Sequence, residues 1–160
     1  MVNFLSSNLF RFLLFPLTSA LLGVMVKYVT RNDKYAKFTK EDFAIGLELV
    51  LTAGLMFVLL TSDWAVSLIS ANTTLHGLVN VPQPNIGEVS RLQAHVAVLS
   101  EKVATAGWVV FAFVAGLWGI STIVRKWGWV SETELSTGVG IAIPLVVGIL
   151  ALVFVMAEAQ

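Results

Sequence analysis

Glu48 is the one acidic side chain set well inside an apolar run, Phe43 to Ser62, whose only other polar interruptions are Thr52 and Thr61. An ionised carboxylate is expensive in hydrocarbon, so an acid at that depth is a functional candidate by default. Thr52 stands one helical turn further on, and Glu41, seven residues earlier, falls on the same face at the mouth of the run. Together they form a polar strip that suits a pore or a proton path. Lys27 lies at similar depth near the end of the preceding apolar run. A plainer arrangement pairs Lys27 with Glu48, or lets the carboxylate reach down to the headgroups, with no transport role. Arg11 sits at the opposite end of its own run and snorkels to the headgroups there.

These residues need helices of membrane length to hold them. Of the 160 residues 57% are hydrophobic and only 12% charged, with a mean hydropathy of +0.85. Soluble domains carry about 25% charged residues. A water-soluble fold has no polar exterior to build from such a chain, so the composition predicts an integral membrane protein. Its solvent and first partner is the lipid bilayer. The net charge is zero, which removes the electrostatic case for nucleic acid. Cysteine is absent, and with it disulfides, thiolate nucleophiles and thiolate metal sites.

The hydropathy pattern predicts an all-α polytopic protein, one membrane domain over 1–160, with four transmembrane helices at about 9–29, 43–62, 105–124 and 135–156. A span needs about 20 residues at 1.5 Å each to cross a core of about 30 Å. Arg11 followed by Phe12–Val24, with Thr18 and Ala20 as a weak cleavage site, also suits a signal peptide, but a retained helix is the reading kept here. Pro16 is expected to bend that helix. Thr39 with Asp42, Asn85 with Glu88, and Ser131 with Glu134 each resemble a capping box that would open the next helix.

Helices 2 and 3 are expected to continue past the membrane as a helical hairpin over about 63–104, turning at Val81-Pro82-Gln83-Pro84-Asn85-Ile86-Gly87 and protruding roughly 20 Å. Val89, Leu92, Val96, Leu99 and Val103 recur at steps of three and four, a heptad seam. Ala65, Leu68, Asn72, Leu75 and Val79 offer a weaker matching stripe. A loose loop with a short surface helix is the alternative. Asn72-Thr73-Thr74 is also a glycosylation sequon, which excludes a seam position for Asn72; the seam is preferred.

Lys and Arg concentrate in 28–42 and 125–134, while 63–104 holds only Arg91 and Lys102. The positive-inside rule then places the loops 30–42 and 125–134 in the cytoplasm, with the hairpin and both termini outside. Small residues predict where helices approach closely: Ser19 and Gly23; Ala112 with Gly116, and Ala115 with Gly119; then Gly140, Pro144 and Gly148 at four-residue steps. Faces in such number leave room for contacts between subunits. Pro144 reads as a static kink in preference to a hinge.

No histidine lies in a span, so a bis-imidazole haem is excluded, and no mid-membrane lysine offers a retinal Schiff base. His76 and His95, both in the hairpin, match no metal-ligand spacing; Glu88, Arg91 and His95 read as a solvated helix face. There is no phosphate loop, nucleophile elbow or HExxH. The expectation is therefore a non-enzyme without metal or cofactor. Two functions fit: a homo-oligomeric channel or pore lined in part by helix 2, or an accessory or scaffold subunit of a larger membrane complex.

Overall fold

The computed structural model describes residues 9–29, 44–82, 85–131 and 134–159. Its order is a π-helical turn Phe10–Leu14, α1 (Phe15–Val29), α2 (Gly46–Val79), α3 (Ile86–Trp127), a ribbon of β1 (Trp129–Ser131) and β2 (Glu134–Leu135), a second π-helical turn Thr137–Ala142, and α4 (Ile143–Glu158). Three helices are long and apolar enough to cross a membrane, Gly46–Val79, Ile86–Trp127 and Thr137–Glu158, and Phe10–Val26 is a shorter apolar helix. Helices of this length and composition make the chain an integral membrane protein. By its internal contacts the chain divides into two compact units, residues 57–111 and the remainder.

In the unit formed by 1–56 and 112–160, α4 is the hub. Counted from Thr137, its most apolar 18-residue stretch has a mean hydropathy of 2.9, the highest of the three long helices. Gly46 at the start of α2 lies so close to the backbone of Pro144 and Leu145 that a side chain there would overlap it. A Cβ on Gly148 would fall 2.7 Å from both the Gly46 carbonyl oxygen and the Leu49 Cβ. No described residue has a positive φ. These glycines therefore serve proximity alone, which is how helices gain van der Waals contact in lipid. Leu49, Pro144, Leu152 and Val155 are buried almost completely around that contact. Phe113 of α3 packs on Gly54 and stands 6.2 Å from the Phe154 ring of α4. The turn Phe10–Leu14 also packs on α4.

Pro16 and Pro144 share one local solution. A proline lacks an N–H and its ring crowds the carbonyl four residues back. Each sits at the second position of its α-helix, directly after a π-helical turn. The wider turn closes with bonds of i to i+5 type, Phe15 N–H to the Phe10 carbonyl and Ile143 N–H to the Gly138 carbonyl. Both prolines are buried. At both prolines a wide turn thus leads into the α-helix. Across the first π-helical turn and α1 the buried positions are Phe12, Pro16, Ala20 and Val24, a four-residue repeat one step away from the expected Ser19–Gly23 face.

One expected helix start moves. Helix 4 is not opened by a capping box at Ser131 and Glu134, because both residues are drawn into the antiparallel ribbon, where they oppose each other. Ser136 caps it instead: its backbone is extended and its Oγ accepts from the N–H groups of Val139 and Gly140, each at 3.2 Å. Leu135, expected as the first residue of the span, is a buried strand residue. The cap at Asn85 forms as expected, its Oδ1 accepting from Gly87 N–H at 3.2 Å and Glu88 N–H at 3.4 Å. The Thr39–Asp42 cap lies outside the described residues.

Gly148→Ala is expected to destabilise the protein by about 1–3 kcal/mol through overpacking. Gly116→Ala, whose added Cβ meets nothing within 4 Å, is expected to be neutral or to stabilise by up to about 1 kcal/mol. Ser136→Ala removes a cap worth about 1 kcal/mol. Thermal denaturation in one detergent ranks the three, and equal midpoints for the two glycine variants would contradict this packing.

Candidate functional site

α2 begins at Gly46, so Glu48 belongs to its first turn and not to a position a turn and a half inside. The buried face of α2 carries Leu49, Val50, Ala53 and Phe57. Glu48 points the other way, exposed, on a face shared with the exposed Leu51, Leu55 and Leu59. Thr52 is half-buried and its hydroxyl donates to the Glu48 carbonyl oxygen at 2.7 Å. Its oxygen lone pairs stay available to a ligand, but its proton is committed to the helix. The strip is therefore one carboxylate and one acceptor oxygen, followed by leucines. Glu41 and the Lys27 side chain lie outside the described residues, and so does any Lys27–Glu48 pairing.

The small residues divide into two groups. Gly140, Pro144 and Gly148 are buried. A Cβ on Gly140 would sit 2.7 Å from the Leu135 side chain and 2.8 Å from the Gly128 carbonyl oxygen. Gly23, Gly116 and Gly119 face open space. No residue in the most apolar 18-residue window of α3 is buried, and Trp108, Phe111, Val114 and Trp118 are all exposed. α3 turns Phe113 toward the rest of its unit, and no described residue covers Gly116 or Gly119 of the Ala112–Gly116 and Ala115–Gly119 faces. Sequence reasoning missed Gly46 and Gly54. They are eight residues apart, so they lack the four-residue step that marks a small-residue face.

In the unit 57–111 the seam of α3 is visible as burial. Val89, Leu92, Val96 and Val103 are half-buried and Leu99 is buried, while the residues between 89 and 101 that lie off the seam are exposed. Ala106 continues the repeat and is buried too. On α2 the stripe is displaced by one residue toward its end. Ala71, not Asn72, is buried, Leu78 is half-buried, and Val79 is exposed. The repeat 57, 64, 71, 78 keeps a seven-residue step, and the bulky Phe57 and Trp64 set its phase through an edge-to-face contact at 5.8 Å. Asn72 stands beside the seam, half-buried. Lys102 Nζ lies 4.8 Å from the centre of the Trp64 ring, joining the two helical arms of this unit.

Toward the turn, Thr74, Leu78, Asn85, Gly87, Glu88, Arg91, Leu92 and His95 line a cleft of about 840 Å³. Glu88, Arg91 and His95 are exposed, as expected of a solvated face. His76 is exposed and does not line the cleft. Among the described residues no three His, Asp or Glu side chains gather as a metal-ligand set.

Comparison with protein-family models, with curated proteins and with solved structures finds no match to this chain. Its function must be read from the side chains themselves.

Leu99→Ala empties a buried seam position and is expected to cost about 2–5 kcal/mol. Val98→Ala, next to it but 54% exposed, is expected to stay within about 0.5 kcal/mol. Hydrogen exchange of the 57–111 amides reads both, and equal loss of protection would remove the seam.

Proposed function

We propose that the chain is a four-span membrane protein that self-associates into a channel- or pore-type homo-oligomer, with the Glu48 face of α2 lining the path. One observation carries this reading: Glu48, in the first turn of α2, is turned away from the buried face and shares its side of the helix with exposed leucines. Lipid is a poor neighbour for such a group, whereas a water-filled axis shared by several copies accommodates it. Each copy would contribute one carboxylate to a ring at the mouth, a device that favours cations. Leu55 and Leu59 would then form an apolar constriction of the kind that gates by dewetting. The uncovered small-residue faces of α3 support subunit contacts without requiring them.

Phe10–Val26 with the rest of α1 is read as the fourth span. α2 and α3 have 34 and 42 residues, well beyond the roughly 20 a bilayer needs, so residues 63–104 are assigned to a hairpin outside the membrane. Trp108 and Trp127 lie 19 residues apart on α3. At 1.5 Å per residue that is about 29 Å, close to the hydrocarbon thickness, and suits interfacial indoles at both ends. The cationic loops 30–42 and 125–134 are placed in the cytoplasm, with the hairpin and termini outside. No catalytic group, cofactor or metal enters this reading.

A second reading, an accessory or scaffold subunit, draws support from the brevity of the polar strip and from the cleft at the hairpin turn, which offers partners a foothold. Native stoichiometry separates the two: a closed ring of identical chains supports the pore, one copy among unlike subunits the scaffold. For the pore itself, Glu48→Gln is expected to lower cation flux into liposomes and to weaken cation-over-anion preference. Unchanged flux and selectivity would remove Glu48 from the path.

A further inference from the structure

The connection from α3 to α4 has features that the pore reading leaves unused. α3 ends in Arg125-Lys126-Trp127, all exposed, with Lys126 Nζ 4.8 Å from the centre of the Trp127 ring. The chain then forms an ordered two-stranded ribbon in place of a loop, with Trp129 opposite Leu135 at its base and Ser131 opposite Glu134 at its tip. Leu135 is buried and the Ser136 N–H donates to the Gly128 carbonyl at 2.7 Å, so the base is anchored. Trp127, Trp129 and Val130 remain 60%, 46% and 72% exposed.

We propose that this junction, Arg125, Lys126, Trp127 and Trp129 above all, is a binding surface for anionic phospholipid headgroups. Location is the first reason. Two helices long and apolar enough to span a bilayer both terminate at the ribbon, so its base lies at a membrane surface. Charge complementarity is the second. Cations beside a bilayer attract anionic lipid, each contributing about 1 kcal/mol within a Debye length. Indoles at the same level hold their rings among the acyl chains and their N–H groups in the headgroup layer. Glu134 pairs with Ser131 at the ribbon tip, one residue from Leu135, and Glu132 lies outside the described residues. In sequence the loop is neutral in sum, with both cations at the end of α3, where they are exposed, and both acids after the first strand. The guanidinium of Arg125 takes a phosphate through paired N–H donors, and Lys126, held over Trp127, adds a point charge beside it.

This inference rests on the membrane reading of α3 and α4 and not on the pore. The test uses the full chain purified in a non-ionic detergent, titrated with phosphatidylglycerol, phosphatidylcholine or inorganic phosphate while thermal unfolding is followed. Phosphatidylglycerol is expected to raise the midpoint in a saturable manner, and the other two to leave it unchanged. In R125Q/K126Q the apparent affinity for phosphatidylglycerol is expected to fall roughly 30-fold, from about 1 kcal/mol per charge, and R125K/K126R is expected to recover most of it. Should the neutral double variant fail to fold, 1 M salt on the unaltered chain is expected to abolish the phosphatidylglycerol effect. Equal stabilisation by phosphatidylcholine or by phosphate, or an undiminished response in R125Q/K126Q or in high salt, overturns the proposal. A chain that stays dispersed without detergent overturns the membrane reading beneath it.

Discussion

A peptide group in hydrocarbon has no water to turn to, so it must be paired within its own helix. Much of this structure is a response to that constraint. Each buried proline lacks a donor, and each follows directly on a π-helical turn whose closing bond skips the usual partner. Hydroxyls obey the same pressure: Thr52, Thr61 and Thr122 donate to carbonyls four residues back, which keeps those three protons within the helix. The constraint also limits what α2 can offer a solute, because Thr52 is already engaged.

With backbone pairing closed inside each helix, lipid provides no hydrophobic drive for helices to associate. Contact then depends on how near two backbones can come. Gly46 and Gly148 bring α2 and α4 to backbone contact, and the buried Leu49, Leu152 and Val155 fill the space around it. In the unit 57–111 the logic changes to that of a seam, where Leu99, Ala71 and Ala106 are excluded from solvent at heptad steps. One sequence therefore uses two packing chemistries, and the composition changes where the chemistry does.

The helical character was readable from hydropathy, and the seam of α3 from spacing alone, because Val89 to Val103 keep one face whatever lies opposite. The phase on α2 was not. Asn72 has the spacing and the polar character of a register marker, but Ala71 is the buried residue there, in step with Phe57, Trp64 and Leu78. The start of helix 4 escaped for a different reason: Ser131 and Glu134 have capping spacing, but pairing across a ribbon competes for the same residues, and local spacing cannot arbitrate. Glu48 stood out as an isolated acid. What spacing could not give was its place in the first turn of α2, which starts at Gly46, beside Pro144 from a segment about one hundred residues away.

The anchoring of the ribbon has a dynamic corollary. Gly128 supplies the carbonyl that receives the Ser136 amide, and the same oxygen fills the space a side chain at Gly140 would need. Ser136 in turn holds the first amides of the π-helical turn before α4. Parting the two strands therefore means releasing the start of the last helix as well. The connection breathes as one cooperative segment, so its amides become accessible together or stay closed together.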